Sequence, residues 1–401
     1  MRRIWLLAAL ALAACSQGKT VPAGSGQKLR VFYNNDNFAY LEPCGCRVSP
    51  IGGMDRRWNA MKAVPDETRV FVDAGNALFK SPKAAEYLMP QWYEQAAGVI
   101  EAYNILGLDA ATPGANDFAL GLKKFQELAK LAKFPFVSSN LYWRGTSKLF
   151  LPESLMIERL GKKIGVFGVF HPGLALPEEL EAKDPVAHAK EMIRKLRGDG
   201  ADMVIALSHQ GYDADVALAN AAKGIDLLVG AHSQSLIQSP DVEGDTLIVQ
   251  LSSQGQMLGM VEYDAATLPK KRTDFVVAEL NDDFNSSPQG MANPMKALTA
   301  VVNLKMADAN RKLDQRIWEA HQGKAKEGFQ TFLSCRDCHG KQANFQESHR
   351  HSAAFLTLLA KKQEMNLDCV KCHSVGMGEP GGFRSLAEAF KDINNQPVAL
   401  S

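Results

Sequence analysis

The sequence has almost no net charge. Its 45 basic and 44 acidic side chains leave +1 over 401 residues, so there is no electrostatic footprint for a polyanion, and nucleic acid is excluded as an expected partner. After Ala14 no apolar stretch reaches the length that spans a bilayer. Internal repeats are missing, apart from one five-residue pattern that occurs twice. Cysteine is scarce, seven in the whole chain, and five of the seven fall in motifs with a defined chemistry.

The repeated pattern is Cys-x-x-Cys-His, at Cys335–His339 and again at Cys369–His373. In such a run the two thiols form thioethers with the vinyl groups of a haem, and the adjacent imidazole coordinates the iron. Structural zinc on the four cysteines would leave the histidine after each pair unexplained. The expectation is two covalent c-type haems. One sits on Cys335 and Cys338 with His339 as proximal ligand, the other on Cys369 and Cys372 with His373. Such a chain exchanges electrons with redox partner proteins.

At the N-terminus Met1-Arg2-Arg3 is basic, and Ile4 to Ala14 is an apolar run too short to cross a membrane. It ends in Leu12-Ala13-Ala14-Cys15, which resembles the lipobox of bacterial lipoproteins, where the cysteine becomes the lipidated first residue. The resemblance implies a signal peptide over 1–14, a membrane anchor on Cys15 and, with Ser16 next, an outer-membrane lipoprotein facing the periplasm or the surface. An ordinary secretory signal with a coincidental cysteine leads to the same side of the membrane, where c-type haem is attached.

A polar linker over 15–28 is followed by alternating strand and helix patterns. Strands are expected at Leu29–Tyr33, Val70–Val72, Phe136–Ser138, Ile164–Phe170, Met203–Leu207 and Leu227–Val229, and helices near Ala84–Leu106, Leu120–Ala132, Val186–Leu196 and Asp213–Ala222. Thr246–Leu251, Met257–Tyr263 and Asp274–Leu280 read as consecutive strands with short turns. The alternation predicts an α/β domain over 29–282 with mixed sheets. Asn281 to Pro294, rich in Asp, Asn, Ser, Pro and Gly, is the expected boundary. A linker and helix over 283–320, helical from about Met295 to Glu319, then leads to a small, mostly helical dihaem domain over 321–401.

Polar residues stand at the strand ends in a recognisable order: Asn35-Asp36-Asn37, Asp73-Ala-Gly75-Asn76, Gly114-Ala-Asn-Asp117, Ser208-His209-Gln-Gly211 and Gly230-Ala-His232-Ser-Gln234. With Gly52-Gly53, Arg56-Arg57, Ser139-Asn140-Leu141 and Gly224-Ile-Asp226, this order resembles the calcineurin-like metallophosphatases, most closely their 5'-nucleotidase branch, over Leu29 to Leu280. The resemblance implies a four-layer αββα sandwich with metal ligands at the strand ends, the edge that opens the crevice of an α/β sheet. Carried over residue by residue, the ligand set is Asp36, Asn76, His209, His232 and Gln234. It is incomplete. Phe38 stands where a ligand His is usual, Asn76 where an Asp bridges two metals, and Ala115 where a ligand Asn belongs. Asn116 takes the place of the His that protonates the leaving group, and Ala119 that of its orienting carboxylate.

A bridging carboxylate is what lets two dications lie close together, and no general acid is left in its usual place. The expectation is a cleft without hydrolysis, holding at most one weakly bound divalent metal on Asn76, His209 and His232. The alternative for these side chains is a purely hydrogen-bonded cleft. Cys44-Gly45-Cys46, in the loop after the first strand, reads either as a strained local disulfide or as a soft-metal or redox pair.

Phe332 to Phe383 is similar to the multihaem cytochrome c family typified by the tetrahaem electron acceptor of ammonia oxidation. The likeness rests on the two haem motifs, Arg350-His351-Ser-Ala-Ala354-Phe355 and Gly376-Met-Gly378-Glu-Pro380-Gly381-Gly382-Phe383. It implies His351 as the distal ligand of one haem, on a short helix, with His349 and His321 as further candidates. Relatives often carry another Cys-x-x-Cys-His soon after the Gly-Gly-Phe. The stretch after Phe383 contains none, in keeping with a module shortened to two haems or with a longer parent sequence. The expected whole is an exported dihaem lipoprotein that transfers electrons. A metal-dependent phosphoesterase and a ligand-binding module stand as the competing classes.

Overall fold

The computed structural model describes residues 28–43, 49–270, 272–288, 290–321, 338–349, 354–361, 363–364 and 366–374. In chain order the strands are β1 Lys28–Asn34, β2 Arg69–Asp73, β3 Ala110–Ala111, β4 Leu141–Trp143, β5 Ser154–Arg159, β6 Lys162–Phe170 and β7 Leu180–Ala182. They continue with β8 Met203–His209, β9 Leu227–Gly230, β10 Asp241–Glu243, β11 Thr246–Val249, β12 Met257–Asp264 and β13 Arg272–Glu279. The α-helices are α1 Met54–Lys62, α2 Met89–Leu106, α3 Leu122–Ala129, α4 Pro185–Gly198, α5 Tyr212–Ala221, α6 Met295–His321, α7 Gly340–Ser348, α8 Leu356–Ala360 and α9 Leu367–His373.

Two mixed sheets form the centre, one ordered β13-β12-β1-β2-β3 and the other β10-β11-β9-β8-β6-β5, beside a small β4-β7 ribbon. Side chains alternate across a strand, and that alternation builds the layers. Val31, Tyr33, Val70 and Val72 of the first sheet meet Val166, Ile205, Leu207 and Val229 of the second in a shared core. Phe32 and Phe71 point the other way, into a core closed by α1, α2, α3 and α6. On the outer face of the second sheet, Phe167, Val204 and Leu228 pack against α4 and α5. The result is the expected αββα sandwich.

Within the first sheet β1 pairs with β12 in a register that sets Arg30 opposite Glu262 and Tyr33 opposite Gly259. Buried Arg30 forms an ion pair with Glu262 at 2.6 Å. A Cβ on Gly259 would come within 2.0 Å of the Tyr33 ring, so the glycine leaves room for the aromatic side chain across the pair.

Three expectations need correction. Phe136–Ser138 is not a strand: it makes one parallel bridge, Phe136 to Ala111, because the segment is too short to extend the pairing. The late run of strands is not one meander. β11 lies parallel to β9 in the second sheet, whereas β12 pairs with β1 and β13 in the first. And α6 does not simply bridge two modules. Met295, Val302 and Met306 are buried in the helical core layer, and a Cβ on Gly98 of α2 would meet Val302 Cγ2 at 2.5 Å. The two helices touch where α2 offers no side chain.

Candidate functional site

The loops leaving β1, β2, β8 and β9, with the turn after β3, converge at one end of the sheets. Their backbone is held in conformations that L-residues seldom adopt. Asp36, Phe38, Ala39, Asn76, His232 and Gln234 all have φ between 47° and 76°. Such a cluster marks a site whose geometry the surrounding packing enforces. Two glycines let the loops close in. A Cβ on Gly75, at φ 102°, would lie 2.7 Å from the Gly114 amide, and one on Gly114 would lie 2.4 Å from the Asn76 side chain.

Asp36 is fully buried. Its Oδ1 accepts from Asn76 Nδ2 at 2.8 Å, and its Oδ2 accepts from the His232 amide at 2.9 Å and from Asn35 Nδ2 at 3.0 Å. Asn76 Oδ1 accepts from the Asn116 amide at 2.9 Å. Both ends of the Asn76 carboxamide and both oxygens of Asp36 are therefore engaged by the protein itself.

His209 is different. Its Nδ1 lies 3.0 Å from the Ala74 carbonyl, which can only accept, so the proton sits on Nδ1. Its Nε2 is buried with no hydrogen-bond partner among the described residues. Burial lowers the His209 pKa to about 4, despite the Asp36 carboxylate nearby, and the ring is neutral at physiological pH. The His232 ring stands edge-on, 5.4 Å away between centroids. Gln234 is exposed on the same loop.

The site brings Asp36, Asn76, His209 and His232 together, with Asp36 and Asn76 closed on each other and on backbone amides and with His209 Nε2 buried and open. Among the described residues no three His, Cys, Asp or Glu side chains are placed to hold a metal. The donor set does not fit a two-metal centre.

One residue of the strand-end motifs was given no role from the sequence. Asp117 is fully buried and accepts from the amides of Gly114 at 2.8 Å, Asn76 at 3.0 Å and Leu78 at 2.8 Å. Burial pushes its pKa up to about 7 against the pull of those amides. A carboxylate three residues after a loop glycine, where it can turn back on the preceding amides, was the available signal. The Arg56-Arg57 pair is structural as well: buried Arg57 donates to Asn34 Oδ1 at 3.0 Å and to the Gly255 carbonyl at 3.3 Å.

In the C-terminal part, Cys369, Cys372 and His373 lie within α9, spaced i, i+3 and i+4, and so share a face. His373 Nδ1 is 2.7 Å from the Ala354 carbonyl. That contact places its proton and leaves Nε2 as the lone-pair nitrogen, the arrangement of a metal-ligating histidine. Cys338, Cys369 and Cys372 are free thiols, and His339 caps the start of α7. These features fit covalent haem. His349 caps the other end of α7 and is exposed. Cys15, Cys44, Cys46, Cys335 and His351 lie outside the described residues.

The family model for cytochrome c554 and c-prime matches residues 334–395. The mouse 5'-nucleotidase is 29% identical over 254 residues, which cover 58% of this chain and 42% of that protein. The match thus spans less than half of the mouse protein's length. Among solved structures, the 5'-nucleotidase precursor of Thermus thermophilus superposes with a TM-score of 0.59 at 22% identity, covering 69% of this chain and 58% of its own. The calcineurin-like phosphoesterase YfkN of Bacillus subtilis gives 0.57 at 20% identity, over 71% of this chain and 98% of its own. The chain therefore joins a domain of the 5'-nucleotidase-like, calcineurin-like phosphoesterase fold to a C-terminal region of the cytochrome c554 type.

Proposed function

We propose that this protein is an exported c-type cytochrome with two haems, which transfers electrons and whose phosphoesterase-like domain does not hydrolyse. His373 carries the electron-transfer reading: its Nδ1 is taken by the Ala354 carbonyl at 2.7 Å, so Nε2 is available to iron. Cys369 and Cys372 would hold that haem. Cys335 and Cys338, with His339, would hold the other. When bound, each haem supplies a one-electron Fe(III)/Fe(II) couple. His351 is the proposed sixth ligand of one of them, and bis-His ligation keeps the potential low relative to His/Met. In this reading Cys15 is acylated and anchors the protein to the outer membrane, and the domains divide at 282/283 and 320/321. Among the described residues no helix is long and apolar enough to cross a membrane.

The second reading is a hydrolase. The buried, unpartnered Nε2 of His209, facing His232, favours it, as do the names of the curated relatives, several of them 5'-nucleotidases. Against it stands the Asn76–Asp36 pair, closed on itself where a cation would need open oxygens.

One preparation separates the two. The protein is matured in a host that attaches c-type haem, then examined by intact mass, by reduced-minus-oxidised spectrum and with 5'-nucleotides in the presence of Mn²⁺, Zn²⁺, Co²⁺ or Mg²⁺. Two haems, a low-spin spectrum and no turnover are expected. His351→Ala should leave one iron high-spin or open to carbon monoxide. Turnover that vanishes in His209→Ala/His232→Ala would put the hydrolase first.

A further inference from the structure

Between the two parts of the chain lies a cavity of about 1070 Å³. Cys369 and His373 line it from α9, Met306 from α6, and Tyr40, Pro43 and Lys80 from the phosphoesterase-like domain. We propose that this cavity is the seat of the haem carried by Cys369 and Cys372, so that the phosphoesterase-like domain furnishes much of that haem's wall. The inference rests on the haem reading above and adds where the group sits.

Four observations carry it. Of the two attaching thiols Cys369 borders this space together with the imidazole of His373, while Cys372, three residues on, is exposed at its outside, and the His373 proton is already committed to the Ala354 carbonyl. The volume, about 1070 Å³, lies just above the roughly 300–1,000 Å³ usual for ligand and cofactor pockets, so it has room for a porphyrin. The lining joins apolar surface, which suits a porphyrin face, to the ammonium groups of Lys361, which suits a propionate carboxylate, and of Lys80, which is paired with Asp368; Glu42 is the other carboxylate on this wall. And the helix bearing the motif is fixed against the domain rather than loosely appended. Asp368 Oδ2 accepts from Lys80 Nζ at 2.8 Å and from Trp92 Nε1 at 3.1 Å. Gln91 Oε1, on a fully buried side chain, accepts from the Leu367 amide at 2.7 Å.

The consequence is electrostatic. Ferric haem carries one more positive charge than ferrous haem, so a nearby ammonium disfavours the oxidised state and raises the potential. Removing Lys80 or Lys361 should lower the potential of one haem and leave the other where it was.

The test uses full-length holoprotein, with both haems verified by mass, and resolves two midpoints by spectroelectrochemical titration. Lys80→Gln and, independently, Lys361→Gln should each shift one midpoint downward, while Lys195→Gln shifts neither. Lys361 is exposed at the end of α8, so its variant folds whether or not loss of Lys80 disturbs Asp368. In a Cys369→Ser/Cys372→Ser background the remaining haem should not respond to either substitution. Two attached haems with both midpoints unmoved would overturn the placement. So would a response of the remaining haem in the double-serine background. A mass showing no haem on Cys369 and Cys372 would instead remove the haem reading itself, and the two failures are distinct.

Discussion

Asn76 donates its carboxamide to Asp36 at 2.8 Å, so two side chains that would both face a cation in a metal-loaded centre satisfy each other instead. An acid in place of that amide would set two carboxylates against one another in a buried site. Asn76→Asp is therefore expected to cost about 1–3 kcal/mol by losing the bond and leaving an unpaired acceptor. In a domain of this size that is a fall of about 3–10 °C in melting temperature. The backbone adds little, because Asp tolerates the left-handed φ of 55° as well as Asn does. Added Mn²⁺ should restore part of the loss in the variant and leave wild type unmoved. A melting temperature unchanged by the substitution would show that the pair is not what holds the loops.

The neutral state of His209 gives stability a pH dependence of known sign. Its folded value near 4 lies below the ordinary 6.5, because burial opposes the charge. The unfolded chain takes up the proton first, so the contribution is complete above 6.5 and is lost as pH falls from there toward 4. Two and a half units correspond to roughly 3 kcal/mol. The advantage of wild type over His209→Gln, measured as a difference in melting temperature, should shrink between pH 7 and pH 4.5. A constant difference over that range would contradict a neutral, buried ring.

At the contact of α2 with α6 the usual glycine rule reverses. Alanine in a helix is ordinarily worth about 0.5–1 kcal/mol over glycine. At Gly98 the new Cβ would press on Val302 Cγ2 at 2.5 Å, and overpacking of this kind costs about 1–3 kcal/mol. Gly98→Ala should destabilise, and Val302→Ala in the same chain should recover much of the loss. Chemical denaturation of the two single variants and the double variant measures the coupling, and strict additivity would mean that α6 does not pack there.

Asp368 provides a direct handle on docking of the haem helix. Burial pushes its carboxyl up, but the Lys80 and Lys371 ammonium groups bring it below its ordinary range on balance. The clamp is then complete above the unfolded value of about 3.8 and is lost only as pH falls through the lower folded value. Asp368→Asn should make the segment around α8 and α9 an early target of limited proteolysis at neutral pH, with cleavage of wild type there unchanged from pH 8 to pH 5. Equal cleavage of the two proteins at neutral pH would argue that Gln91 alone secures the helix.

Much of the fold was legible because its strands are short apolar runs and most of its helices carry a regular apolar stripe. α1 was not seen, and the reason is physical: Arg56 and Arg57 are both buried in it, so its charge pattern points inward. β5 escaped as an edge strand whose residues are only partly covered. The participants of the cleft could be named from their order along the chain. Their closure could not, since Asp36 and Asn76 stand 40 residues apart and nothing local says that an amide will turn toward a carboxylate. The departures at Phe38, Asn76 and Asn116 did signal a site at odds with two metals. The docking of the haem helix left no trace in the sequence, because Lys80 and Trp92 are unremarkable residues until Asp368 reaches them.

The distance along the chain between Lys80 and Asp368, 288 residues, bears on the order in which the molecule assembles. A contact of that span closes a very long loop, whose entropy is recovered only when the partners are already shaped to receive each other. The N-terminal side of the cavity can form as soon as its own domain folds, whereas α9 emerges late in synthesis. Thiols must be accessible to acquire a porphyrin, and Cys369 is already half covered once α9 has docked. On the haem reading proposed above, maturation is accordingly a sequence in which the haem of Cys369 and Cys372 is attached before α9 docks and is then carried into a half-built chamber. In that reading the finished domain acts as a template that accepts the loaded helix.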